Sequence, residues 1–92
     1  MIKSFKHKGL RLFFEKGSTA GIDAKQSGKL RLRLAVIDAA EDIKDIDRPG
    51  YSLHTLTGDR KGQWSITVTG NWRITFEFMD GNAYVVNYED YH

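Results

Sequence analysis

Between residues 64 and 79 apolar and polar side chains alternate on both sides of a break that contains a glycine. Trp64, Ile66 and Val68 alternate with Ser65, Thr67 and Thr69; Trp72, Ile74, Phe76 and Phe78 alternate with Arg73, Thr75, Glu77 and Met79. Successive strand side chains point to opposite faces, so this period of two requires an antiparallel sheet with one buried and one open face. For both apolar rows to share one face, Val68 must sit opposite Trp72, which makes Thr69-Gly70-Asn71 a three-residue loop. Arg73 and Thr75 then lie on the open face beside Thr67 and Ser65. Asp80-Gly81 signals a two-residue hairpin that pairs Met79 with Asn82. In that register Tyr84, Val86, Tyr88, Asp90 and His92 share the face of Arg73. A slip of one residue brings Glu89 and Tyr91 there instead, and in either case titratable groups meet Arg73.

Upstream of Tyr51 the period is helical. Met1 to Phe5 reads as a short strand, Leu10, Phe13 and Phe14 repeat at helical spacing, and Gly17 supplies a C-terminal stop. A second helix is expected from Asp23, a good cap, to about Ala40, with Leu30, Leu34 and Ile37 as its buried stripe. Lys25, Lys29 and Arg33 recur at i, i+4, i+8 on another side of it. A short helical turn is expected over 41–46 before Arg48-Pro49-Gly50 breaks it. His7 is expected at the surface.

With 92 residues and no repeat or linker, the chain reads as one domain, 1–92. It has no cysteine, which excludes disulfides and thiolate metal sites. No N-terminal apolar segment resembles a signal peptide and no run is long enough to span a membrane, so a soluble, cytoplasmic protein is expected. The formal charge of +2 conceals an asymmetry: residues 1 to 33 carry nine Lys or Arg against two acids. Such a basic third is a candidate surface for a polyanion.

His54 in the first sheet strand, Arg73 in a central strand and the closing Asp90-Tyr91-His92 converge on one predicted face, with Arg60 and Lys61 in a nearby loop. Imidazoles, a guanidinium and a carboxylate suit phosphodiester cleavage without a metal. The 2′-hydroxyl must lose a proton, the leaving 5′-oxygen must gain one, and the crowded phosphate needs a fixed cation. Arginine serves better than lysine because its planar fork matches phosphate oxygens. Two-metal hydrolysis wants clustered acidic ligands, and none lie on the predicted face.

The segments Met1-Ile2-Lys3-Ser4-Phe5, Leu53-His54-Thr55-Leu56-Thr57-Gly58-Asp59-Arg60 and Gly62-Gln63-Trp64-Ser65-Ile66-Thr67-Val68 resemble the HigB-type toxins of bacterial type II toxin–antitoxin modules, within the RelE-like superfamily. So do Asn71-Trp72-Arg73-Ile74-Thr75-Phe76 and the terminal Asp90-Tyr91-His92. The resemblance covers essentially the whole chain. It implies an α+β fold, N-terminal helices packed on a mainly antiparallel sheet. It also implies a ribosome-dependent endoribonuclease that works without cofactor or metal and cuts mRNA in the A site of the 70S ribosome. The implied partners are rRNA, mRNA and a HigA-type helix-turn-helix antitoxin, held in a hetero-oligomer, with no membrane. By this likeness His54, Arg73, Asp90, Tyr91 and His92 take active-site positions: Arg73 on the phosphate, Asp90 or His54 as base, His92 as acid and Tyr91 orienting the nucleotide. The roles of the two histidines are exchangeable. Lys25, Lys29, Arg33, Arg60 and Lys61 are the expected RNA or ribosome contacts. The chain departs from the pattern at Thr57 and Thr69, where relatives often carry cations. That departure keeps open an attenuated module that docks on rRNA or antitoxin and cuts little.

Overall fold

The computed structural model describes residues 1–90. Two helices, α1 (Lys8–Lys16) and α2 (Ser27–Ala39), cover one face of a four-stranded antiparallel sheet. Its strands are β1 (His54–Thr55), β2 (Trp64–Thr69), β3 (Trp72–Met79) and β4 (Asn82–Asp90), in the order β1-β2-β3-β4. This is the α+β arrangement expected. The expected first strand exists as two parallel bridges, Ile2 to Ala83 and Phe5 to Val86, along the free edge of β4.

Helix α1 starts where the His7 side chain accepts from the Leu10 N–H and stops where Gly17 turns left-handed, its φ at 75°. Helix α2 begins later than its sequence suggests. Asp23 caps a short 3₁₀ turn, Ala24–Gln26, and the α-helix proper starts at Ser27. Lys25 therefore lies off α2. Leu30, Leu34 and Ile37 do form a buried stripe, and Arg33 is buried with them. The acidic stretch after α2 forms a 3₁₀ turn, Ile43–Ile46, closed by a capping box of Asp42 and Asp45.

The core joins Leu10, Phe13, Leu30, Leu34 and Ile37 of the helices to Ile66, Val68, Ile74, Phe76, Ala83, Val86 and Tyr88 of the sheet. Two bulges set its register. In the β2–β3 ladder Thr67 opposes Arg73 and Ser65 opposes Thr75, as the alternation demands. The ladder closes with Thr69, not Val68, opposite Trp72. Val68 takes a bulge and a two-residue turn, Gly70-Asn71, replaces the expected loop. The second bulge has larger consequences. Met79 pairs with Asn82 as expected, but the register shifts between Thr75 and Glu77. Ala83, Val86 and Tyr88 are all buried, and a regular strand cannot turn 83, 86 and 88 to one side. Val85 is the extra residue, held at a positive φ of 48° that a β-branched side chain rarely adopts. Its N–H donates to Ser4 Oγ at 2.9 Å, so the N-terminal segment supports the distortion.

Beyond the bulge every side chain changes face relative to the unslipped register. Tyr88 opposes Ile74 over the core, Asp90 opposes Trp72, and Glu89 opposes Arg73. The expectation that Val86, Tyr88 and Asp90 share the face of Arg73 is thereby overturned; the slipped register is the one adopted.

Candidate active site

The open face of the sheet carries His54, Ser65, Thr67, Arg73, Thr75, Asn87 and Glu89, because His54 opposes Ser65, Thr67 opposes Arg73, and Arg73 and Thr75 oppose Glu89 and Asn87. Residues directly opposed across an antiparallel ladder project to the same side. Register alone thus brings together two sequence candidates, His54 and Arg73, and adds Glu89. Asp90 is exposed at the end of β4, with its side chain on the opposite parity from Arg73. Tyr91 and His92 lie outside the described residues.

His54 is exposed at the start of β1, with Nδ1 at 2.8 Å from the Ser52 carbonyl. A carbonyl oxygen can only accept, so Nδ1 carries the hydrogen and donates it. In the neutral ring Nε2 is then the bare nitrogen, able to take a proton. Arg73 is half-buried and donates from Nη1 to Thr67 Oγ1 at 3.0 Å and to the Gly70 carbonyl at 3.3 Å. Among the described residues these bonds occupy one nitrogen of the fork, and Nε and Nη2 keep donors in reserve for an anion.

Above the middle of this face the loop 56–63 closes on itself, the Leu56 N–H donating to the Gln63 carbonyl at 2.9 Å, and sends Arg60 across the sheet. Arg60 donates to Glu89 from both Nη1 and Nη2, and to Thr75 Oγ1 at 3.4 Å; the Thr75 hydroxyl donates to Glu89 at 2.8 Å. Hydrogen bonding from Arg60, reinforced by Thr75, holds the Glu89 carboxyl below the usual carboxylate range. Lys6, Asp59, Gln63 and Asn87 join these groups around a polar cleft of about 420 Å³. Lys61, in the same loop, is exposed, as are Lys25 and Lys29. Arg33 is not available in the way its spacing suggested: its Nε donates to the Thr67 carbonyl at 2.7 Å and its guanidinium sits 4.4 Å over the Tyr51 ring.

The profile of one protein family, described as RelE-like toxin of type II toxin-antitoxin system HigB, matches residues 3–92. The chain belongs to this family. It is 59% identical over 92 residues to a protein named Endoribonuclease HigB from Proteus vulgaris, covering 100% of both chains. It is also 33% identical over 85 residues to Toxin HigB-1 of Vibrio cholerae serotype O1, covering 90% of each.

Within this HigB-like frame, Glu89, which the sequence offered only as the outcome of a register slip, and His7, expected at the surface, are the residues whose roles the sequence left unassigned. The signal for Glu89 was the spacing of Ala83, Val86 and Tyr88, which only a bulge reconciles with burial. His7 is half-buried, caps α1 and meets the Tyr88 ring edge-on at 5.5 Å. Histidine is not among the usual N-cap residues, so nothing in the sequence marked it. No helix among the described residues is long and apolar enough to cross a membrane.

Proposed function

We propose that this toxin is a cytoplasmic endoribonuclease that cuts mRNA in the A site of the ribosome, without a metal, by attack of the RNA 2′-hydroxyl on the adjacent phosphate. One observation carries the reading: the ladders set His54 and Arg73 on one open face, with the end of β4 paired alongside Arg73. Arg73 holds the phosphate with the free part of its fork. His54 Nε2 takes the 2′-hydroxyl proton, its Nδ1 anchored on Ser52. The register favours His54 over Asp90 for this task. His92 protonates the leaving 5′-oxygen and Tyr91 stacks on a base.

Exposed Lys25, Lys29 and Lys61 supply cations to rRNA, while Arg33 and Arg60 are engaged by protein acceptors. Family membership implies an antitoxin; we take it to be a helix-turn-helix protein of HigA type, bound in a hetero-oligomer.

A second reading is favoured by Thr57, exposed at the start of the 58–60 turn and bringing no cation to the phosphate. On that reading the protein docks and cuts little. Primer extension on a defined message, with and without 70S ribosomes and with and without EDTA, separates the possibilities. EDTA-resistant cuts that need ribosomes are expected. Ribosome binding with intact message would select the second reading, and cutting of naked RNA would remove the ribosome from the mechanism.

A further inference from the structure

Arg73 and Glu89 oppose each other directly across the β3–β4 ladder, a guanidinium facing a carboxylate. Directly opposed strand residues have Cβ atoms about 4.5–5.5 Å apart, a separation at which opposite charges commonly pair. Here the two side chains diverge. Glu89 leans along the face to Thr75, whose hydroxyl donates to it at 2.8 Å, and into the fork of Arg60, which donates to both carboxylate oxygens. Arg73 leans the other way, towards Thr67 and the Gly70 carbonyl at the end of the hairpin. The carboxylate is satisfied by Arg60 and Thr75 and not by the guanidinium directly across the ladder. A carboxylate seated in an arginine fork mimics the geometry of a bound phosphate. Any carboxylate free to reach Arg73 would therefore compete with RNA for it.

We propose that Arg60 is a positioning residue that engages Glu89 and so keeps the Arg73 guanidinium open to an RNA phosphate. With Arg60 gone, two cations remain among the described residues for Glu89 to turn to, Lys6 on the same cleft and its own cross-strand neighbour Arg73; a pair formed with Arg73 neutralises the phosphate site. The inference rests on the reading of Arg73 as the phosphate cation, and it assigns Arg60 a task that requires no contact with RNA.

The test compares Arg60→Gln, Arg60→Lys and the double variant Arg60→Gln/Glu89→Gln in two readouts. One is the rate and KM of cleavage on ribosome-programmed mRNA. The other is the Arg73 Nε–Hε resonance of the protein alone, identified by its loss in Arg73→Ala. Arg60→Gln should lower cleavage about tenfold or more, the scale of a lost charge-assisted hydrogen bond to phosphate. It should also shift the Arg73 resonance as Glu89 arrives. Adding Glu89→Gln should return both readouts towards wild type, and Arg60→Lys, which keeps a cation for the carboxylate, should fall between. Should Arg60→Gln not fold, Thr75→Val loosens Glu89 while leaving the loop in place and should move both readouts the same way by a smaller step. A double variant as slow as Arg60→Gln, or an unmoved Arg73 resonance, overturns the proposal in favour of direct RNA contact or a simple loop brace. Because the resonance needs no substrate, a wild-type protein that cuts nothing would sink the nuclease reading while the pairing was still judged on its own.

Discussion

Replacing Tyr88 with phenylalanine should give a stability defect that disappears at high pH. The Tyr88 hydroxyl donates to Gln26 Oε1 at 2.7 Å, and Gln26 donates onward to Asp23 at 3.3 Å. Tyr88 is 5% exposed and Gln26 6%, so neither partner can turn to water. Tyr88→Phe keeps the ring stacked on Trp72 at 4.5 Å but strips a buried amide oxygen of its donor. Leaving such an acceptor unpaired costs about 1–3 kcal/mol. In a domain of this size each kcal/mol moves Tm by roughly 4–8 °C. Burial also pushes the phenol up from 10 to about 12. The folded state holds this proton more tightly than the unfolded chain does. The corresponding stability is complete below pH 10 and is lost as pH rises towards 12, by roughly 2–3 kcal/mol. The phenylalanine variant has no such proton to lose. Urea unfolding followed by circular dichroism from pH 8 to 12 should show the two midpoints far apart at the start and converging at the end. A gap that stays constant across that range refutes the assignment of a buried, hydrogen-bonded phenol.

Three further perturbations are as definite. A Cβ at Gly9 would lie 2.4 Å from the Gly21 carbonyl oxygen, so Gly9→Ala should cost about 1–3 kcal/mol or more by overpacking; an unchanged melting temperature would contradict the close approach. Burial lowers the His7 pKa below 6.5, and its Nδ1 must be bare to accept from Leu10 at 2.9 Å. The stability it contributes is therefore whole above pH 6.5 and falls as pH drops through the lowered value. His7→Ala should cost about 0.5–2 kcal/mol at pH 7.5 and flatten the acid limb of a urea-midpoint profile; an unaltered acid limb counts against the cap. Arg33→Met should destabilise by about 1–3 kcal/mol in thermal unfolding, through loss of the Thr67 hydrogen bond and the Tyr51 ring contact. Lowered RNA affinity at unchanged Tm would instead restore Arg33 to the polyanion surface.

The hairpins and their apolar faces were legible because alternation is a local property: Ile66, Ile74 and Phe76 announce their side of the sheet within a few residues. The bulges were not. Whether Val85 sits in the ladder or is looped out depends on burying Ala83, Val86 and Tyr88 together and on support from Ser4, some eighty residues away. That one residue decides whether Asp90 or Glu89 meets Arg73. Arg33 shows a different limit. Charge spacing along a helix tells which residues share a stripe, not whether the stripe meets water, and here the sheet edge offered a carbonyl and an aromatic ring. The face of Arg73 was legible because its register follows from the β2–β3 hairpin, before the second bulge; that of His54 depends besides on the pairing of β1 with β2, where it opposes Ser65.

The guanidinium at position 73 is the point on which the chemistry turns. The decisive measurement is the rate of ribosome-programmed mRNA cleavage by Arg73→Ala and Arg73→Lys, each with its urea midpoint. Loss of a fixed transition-state donor should slow Arg73→Ala about 10²–10³-fold with the fold intact, with Arg73→Lys in between because an ammonium lacks the fork. A folded Arg73→Ala protein that cuts at the wild-type rate would show that the phosphate is held elsewhere.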